Sequence, residues 1–135
     1  YGKNILLKYK KGEALIEDFS FINLNQFFFK ISFKKININL FKGLNADGYL
    51  SGDLYVLNDE DDYSARFNDI TIEKFSYENY DFDSVDIEGS LDNDSIDLSA
   101  LKVYKQIGLL DLSGSFSSIN DFYNGNINNL KIKFN

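Results

Sequence analysis

Between Ser84 and Phe116, apolar residues fall on every second position of each run and alternate mainly with Asp, Glu and Ser. This is the period of a β-strand with one buried face and one solvated face. The polar pair Asn93-Asp94 separates the first two runs, and both residue types tolerate the positive φ that a two-residue hairpin turn needs. The pattern therefore predicts a β-hairpin with one apolar side.

The turn also predicts the register of this hairpin, since side chains alternate strictly between the two faces of a sheet. Four cross-strand pairs are expected, namely Asp92 with Ser95, Leu91 with Ile96, Gly89 with Leu98, and Ile87 with Ala100. In this register every apolar residue meets an apolar partner on the same face, which is the unit of sheet stabilisation.

The rest of the chain repeats the pattern less cleanly. Alternating runs predict strands near residues 3–9, 50–56, 65–77 and 130–134, and a loop is expected at 117–121. The alternation changes face at Glu17-Asp18 and again at Lys34-Lys35, which predicts a β-bulge at each place. The acidic run at 58–62 belongs in solvent and predicts a hairpin tip.

A weak internal repeat of apolar, polar, Gly, polar, apolar residues occurs at 50–54, 87–91 and 112–116, with uneven spacing. A glycine on the apolar face leaves room for a large neighbour or for a curved backbone. The repeat is thus explained either by glycines facing large side chains in an ordinary core or by a sheet that is curled on itself.

These patterns predict one all-β domain over residues 1–135, a curled, mostly antiparallel sheet with an apolar concave face. No convincing amphipathic helix is available to cover that face, so the alternative is a closed β-sandwich or barrel. The chain does not begin with Met, which predicts a fragment of a longer protein.

Composition narrows the function. The net charge of −7 argues against a nucleic-acid partner, and the absence of His and Cys removes the usual general bases and thiolate ligands. The carboxylates of the alternating strands lie on the polar face, and the acidic runs lack the spacing of a calcium loop. We therefore expect no catalytic residues, no metal, no cofactor and no enzyme activity.

Three segments, residues 82–91, 96–103 and 108–116, resemble the TamB-like part of the AsmA/TamB family. These are periplasmic proteins of diderm bacteria that are anchored in the inner membrane, and the likeness extends over about residues 43–134. The resemblance implies a β-taco, a trough of curled sheet that spans the periplasm. It also implies a role in phospholipid transport between membranes or in outer-membrane protein assembly, with phospholipid acyl chains and a BamA-like outer-membrane barrel protein as partners.

Acyl chains would bind such a trough through apolar area alone, so its lining needs only uncharged apolar side chains. The predicted lining consists of Leu50, Leu54, Val85, Ile87, Leu91, Ile96, Leu98, Leu110, Leu112 and Phe116. Two other interpretations stay open, which are a structural or adhesive all-β repeat module of a surface-exposed protein and a glycan-binding β-sandwich. An open apolar face would also favour a homodimer in a crystal.

Overall fold

A computed structural model of the chain describes residues 2–106, 108–116 and 126–134. These residues form ten β-strands and one short 3-10 turn at Ile38–Leu40. The strands are β1 (Gly2–Tyr9), β2 (Gly12–Asn23), β3 (Gln26–Asn37), β4 (Ala46–Asp59), β5 (Asp62–Tyr77), β6 (Tyr80–Asp81), β7 (Ser84–Asp92), β8 (Ser95–Lys105), β9 (Gly108–Phe116) and β10 (Asn126–Phe134). The loop expected at 117–121 lies outside the described residues.

All ten strands form one sheet whose order follows the chain, and the two-residue β6 pairs with the end of β5. Every pairing among the described strands is antiparallel. In this meander the first and last strands are the two edges, and the sheet is not closed. The prediction of an all-β, curled, antiparallel sheet is confirmed, and the closed alternative is not observed.

The β7–β8 hairpin turns at Asn93-Asp94, where Asn93 has φ 49°. Three of the four predicted pairs are confirmed, Asp92 with Ser95, Leu91 with Ile96 and Gly89 with Leu98. The fourth is wrong, because Ile87 pairs with Leu101 and Ala100 pairs with Glu88. A bulge at Ser99 causes this shift. It places Leu101 opposite Ile87, where the regular register would have placed the smaller Ala100.

Bulges recur in the other strands and form a line across the sheet, which we call the crease. The bulges predicted at Glu17-Asp18 and Lys34-Lys35 are both confirmed, although only the second lies on this line. From β3 to β10 the crease passes through Lys34-Lys35, Gly52, Asn68-Asp69, Gly89, Ser99-Ala100, Gly114 and Asn128. Bulged strands thus alternate with strands that carry a glycine, and the glycines are those of the sequence repeat.

Glycine is required on the crease because the bulged neighbour comes too close for a side chain. A Cβ on Gly52 would lie 2.6 Å from the carbonyl oxygen of Asp69, and Gly52 also has φ 130°. On Gly89 a Cβ would meet the carbonyl oxygen of Asp97 and the ring of Phe67. Bulges bend a strand and increase its twist, so a row of bulges and glycines curls the whole sheet.

The curled sheet leaves much of its surface open. The chain exposes 9432 Å², whereas a compact monomer of its mass is expected to expose about 7,200 Å². Among the described residues only four hydrophobic side chains are buried, and these are Ile36, Ile38, Ile70 and Val85. The stability of this fold therefore comes from pairing between neighbouring strands and from partial burial along one face, since no second layer covers the sheet within residues 2–106, 108–116 and 126–134.

Candidate functional site

One face of the sheet is apolar from edge to edge, and we call it the apolar face. Register places Phe29, Val56 and Ala65 side by side on it, and likewise Ile87, Leu101 and Leu112. Four strands carry only apolar side chains or glycine at their positions on this face. The stretches concerned are 50–56 in β4, 65–72 in β5, 85–91 in β7 and 96–103 in β8. A continuous uncharged surface results, as the sequence predicted.

All ten residues predicted to line a groove occupy positions on the apolar face. Register joins Leu50 and Leu54 in β4 to Val85, Ile87 and Leu91 in β7 through β5. It continues through Ile96 and Leu98 in β8 to Leu110, Leu112 and Phe116 in β9. For Phe116 the structure describes only the backbone, which pairs with Ile96. Val85 is buried, and the side chains of the other eight are partly buried.

Burial differs between the two faces, which shows the sense of the curl. Apolar-face side chains of the central strands are partly or fully buried, such as Val85 at 6% and Ile70 at 8% exposure. On the other face Tyr55 is 44% exposed and Leu57 is 46% exposed. Towards the sheet edges even the apolar face opens, with Leu7 in β1 at 54% exposure. The apolar face is therefore the concave one, and it is most sheltered in the middle of the sheet.

Sequence reasoning missed a part of this face. Phe67 and Ile70 in β5 stand between the predicted residues of β4 and β7, and Leu101 and Val103 extend the lining along β8. The alternation of these two strands is interrupted at Asn68-Asp69 and at Ser99-Ala100. Before each interruption the apolar residues fall on one set of alternate positions, and after it they fall on the other set. Reading each interruption as a bulge, as at Lys34-Lys35, would have recovered all four residues.

The N-terminal strands add an aromatic part to the apolar face. Phe27 and Phe29 are stacked with ring centroids 6.0 Å apart, and Phe21 stacks on Phe27 at 6.4 Å. These rings and the aliphatic side chains beside them surround an apolar cavity of about 410 Å³. It is lined by Ile5, Ile16, Phe19, Ser20, Phe21, Phe27, Phe28, Phe29 and Ile31. Such a volume lies in the range of small-ligand sites, about 300–1,000 Å³.

The opposite face is polar and carries a small charge network. Lys30 Nζ lies 2.5 Å from Glu17 Oε2, and the Ser32 hydroxyl lies 2.6 Å from both Glu17 Oε1 and Asp53 Oδ1. The hydrogen bond with Lys30 and the contact with Ser32 lower the pKa of Glu17, and the same pairing raises the pKa of Lys30. Both groups are solvated, so the network contributes mainly to the local geometry of β2, β3 and β4.

Within residues 2–106, 108–116 and 126–134, no three His, Cys, Asp or Glu side chains are grouped as a metal ion would need. No helix in the described part of the chain is long and apolar enough to cross a membrane.

Comparison of the chain with protein-family models, with curated proteins and with solved structures finds no match.

Proposed function

We propose that this chain is a periplasmic hydrophobic-groove module that holds phospholipid acyl chains on its apolar face. In this proposal the full-length protein belongs to the AsmA/TamB family and is anchored in the inner membrane. The module serves phospholipid transport between membranes, outer-membrane protein assembly with a BamA-like barrel, or both. One observation carries the proposal, namely that the apolar face extends over nine strands and has no covering layer in the described part of the chain.

Energetics favour an acyl chain as the occupant. Each buried CH₂ contributes about 0.8 kcal/mol, so a 16-carbon tail offers on the order of 10 kcal/mol before the entropy cost of binding. Such binding needs area and no specific polar contact. The central strands supply that area as Leu, Ile and Val side chains. The apolar-face positions of β7 from Val85 to Leu91 and of β8 from Ile96 to Val103 carry no charge. A lining of this kind lets a chain slide, because no position binds it much better than the next.

The first test asks whether lipid is bound. The purified chain from a bacterial host is examined by native mass spectrometry and by lipid extraction. We expect bound phospholipid and a fluorescence increase with the apolar dye N-phenylnaphthylamine. A lipid-free mass together with no dye response would contradict the proposal and favour the structural or adhesive module.

Matched variants then locate the lipid. Leu98→Thr lowers the apolarity of the central lining, while Asp97→Asn changes the adjacent residue on the polar face. We expect the first variant to lose several-fold in lipid content and the second to keep it. Circular dichroism of both proteins separates loss of binding from loss of folding. Equal lipid content in two folded variants would show that the lipid is bound elsewhere.

A separate measurement addresses outer-membrane protein assembly. A synthetic β-hairpin peptide with the alternating apolar pattern of an outer-membrane strand pair should compete with the dye for the apolar face. Competition that Leu98→Thr weakens would support a holding role for unfolded strands. Lipid binding without such competition would restrict the proposal to phospholipid transport.

A further inference from the structure

The polar face of the sheet contains a second hollow, on the side away from the groove. Its volume is about 620 Å³, and it is lined by Phe28, Tyr55, Leu57, Ser64, Arg66 and Asn68. These residues come from β3, β4 and β5, where register aligns Phe28 with Leu57 and Ser64, and Tyr55 with Arg66. Of these residues only Phe28 also lines the apolar cavity of about 410 Å³, and the proposed lipid groove uses none of the others.

The hollow combines an accessible ring with an unpaired cation. Tyr55 is 44% exposed, and Arg66 stands directly opposite it on β5. Side chains in directly opposed positions have Cβ atoms about 4.5–5.5 Å apart. Arg66 is the one arginine of the sequence. Within the described residues its side chain has no hydrogen bond or ion pair, although the chain carries 21 acidic residues.

We propose that this hollow is a binding site for a saccharide that bears a carboxylate. The exposed ring of Tyr55 offers a flat apolar surface for the C–H groups of a sugar ring, and Leu57 extends that surface. Ser64 and Asn68 provide a hydroxyl and an amide for the sugar hydroxyls. The guanidinium of Arg66 binds a carboxylate through two parallel N–H donors, which is the pairing its geometry favours.

Other ligand classes fit this hollow less well. A nucleic acid or another polyanion would be repelled by the net charge of −7. An acyl chain would leave the Arg66, Asn68 and Ser64 groups unpaired, and the apolar face offers it a better surface. A simple anion would use Arg66 but would gain nothing from the ring of Tyr55.

The direct test is titration of the 135-residue chain with a galactose trisaccharide whose terminal sugar is replaced by galacturonic acid, so that it carries a single carboxylate, followed by amide chemical shifts in NMR. The shifts should cluster at Tyr55, Arg66 and Asn68. A neutral galactose trisaccharide should bind at least fivefold more weakly, and inorganic phosphate should cause no comparable shifts at Tyr55. No shifts with this singly charged trisaccharide, or equal binding of all three probes, would overturn the proposal.

Substitutions test the assigned roles. Arg66→Gln should weaken binding of the charged trisaccharide tenfold or more, and Arg66→Lys should recover only part of it, because lysine lacks the planar pair of donors. Tyr55→Thr should weaken both trisaccharides. Tyr49→Thr is the matched control, since Tyr49 lies on the same face of β4, is 39% exposed, and stands on the other side of the crease. Binding that Arg66→Gln or Tyr55→Thr leaves unchanged would overturn the site. This test is independent of the lipid groove.

Discussion

The two ends of the apolar face differ in chemistry. In β2 and β3 it is mostly aromatic, with Phe21, Phe27 and Phe29 stacked in a row beside a cavity of about 410 Å³. In β7, β8 and β9 the apolar face is aliphatic, and its described side chains are Val, Ile and Leu. Glycine occupies further positions, with Gly89 and Gly114 on the crease and Gly108 at the start of β9. We call these the aromatic region, β2–β3, and the aliphatic region, β7–β9.

Under our proposal the two regions would serve two different tasks. Flat rings with fixed stacking leave a shaped cavity, whereas short branched side chains give an even surface. Under our proposal the aliphatic region lets an acyl chain slide, and the aromatic region retains an apolar ligand in a defined place. Both regions depend on the crease, which passes from Lys34-Lys35 in β3 to Asn128 in β10.

The largest effect is expected at the point of the crease between the two regions. Gly52→Ala should destabilise the fold by about 3 kcal/mol, because it combines a strained φ with a contact to the backbone of Asp69. Urea unfolding measures this change. Gly43→Ala is the control, since Gly43 has φ 91° but no heavy atom within 4 Å of an added Cβ, and it should lose only about 1–2 kcal/mol. Equal losses would mean that φ alone, and not the close approach, requires the glycine.

A smaller effect should separate the two regions. Phe29→Leu removes a ring from the stack with Phe27 and should destabilise the fold by about 1–2 kcal/mol. It should also weaken binding of the ring-bearing dye more than binding of a fluorescent fatty acid. Leu112→Met in the aliphatic region conserves volume, so it should change the stability and the binding of both probes only slightly. Parallel losses for both probes would show that the aromatic region has no preference of its own.

Substitutions in the turn of the aliphatic region should lower the free energy of unfolding by about 1 kcal/mol. Asn93 has φ 49°, and its Oδ1 accepts a hydrogen bond from the Tyr63 N–H at 3.1 Å. Asn93→Ala loses the bond and strains the backbone, whereas Asn93→Gly loses only the bond and should be the less damaging change. Thermal unfolding gives the comparison. If glycine were the worse replacement, relief of the positive φ would count for less than the flexibility that glycine adds to the unfolded chain.

The smallest effect concerns pH and belongs to the face of β2 and β3 opposite the aromatic region. Lys30 and Ser32 lower the pKa of Glu17, so the folded state gains stability at pH values above the ordinary value of 4.5 and loses it as the pH falls through the lowered pKa. The raised pKa of Lys30 has the opposite sense, since its contribution is lost at alkaline pH above 10.5. Glu17→Gln should flatten the acid slope of the melting temperature. Glu13→Gln is the control, because the Lys8–Glu13 pair is more open at 3.6 Å. Identical acid slopes in all three proteins would remove Glu17 from the acid response.

Much of the fold follows from the sequence because a meander uses local signals. Alternation predicted the strands, the acidic run predicted the tip at Glu60-Asp61, and Asn93-Asp94 predicted a turn and most of a register. The bulge at Lys34-Lys35 was also recognisable, since Phe33 and Ile36 change parity there yet share a face. These features depend on neighbours in the chain, which are visible in the sequence.

The features that the sequence left open depend on pairs of strands. The glycine repeat looked irregular because Gly52 and Gly89 are separated by the long β5 and the small β6, whereas only β8 lies between Gly89 and Gly114. In the sheet the spacing is regular, since a glycine occurs on every second strand and faces a bulge on either side. The hollow of Tyr55 and Arg66 was invisible for the same reason, as its members come from three strands.

The strand order has a consequence for how such a groove can change in length. Each of the larger strands hydrogen-bonds only with strands close to it in the chain, so a hairpin could be added or removed without rerouting any other segment. Arrays of this kind behave almost as one-dimensional systems, whose stability grows with each unit and its nearest-neighbour contacts. The pairing of one bulged strand with one glycine strand is the natural unit here. The width of the sheet across its strands is then a multiple of that unit, about 9–10 Å for two strands. A longer or shorter groove would result from a gain or loss of whole hairpins.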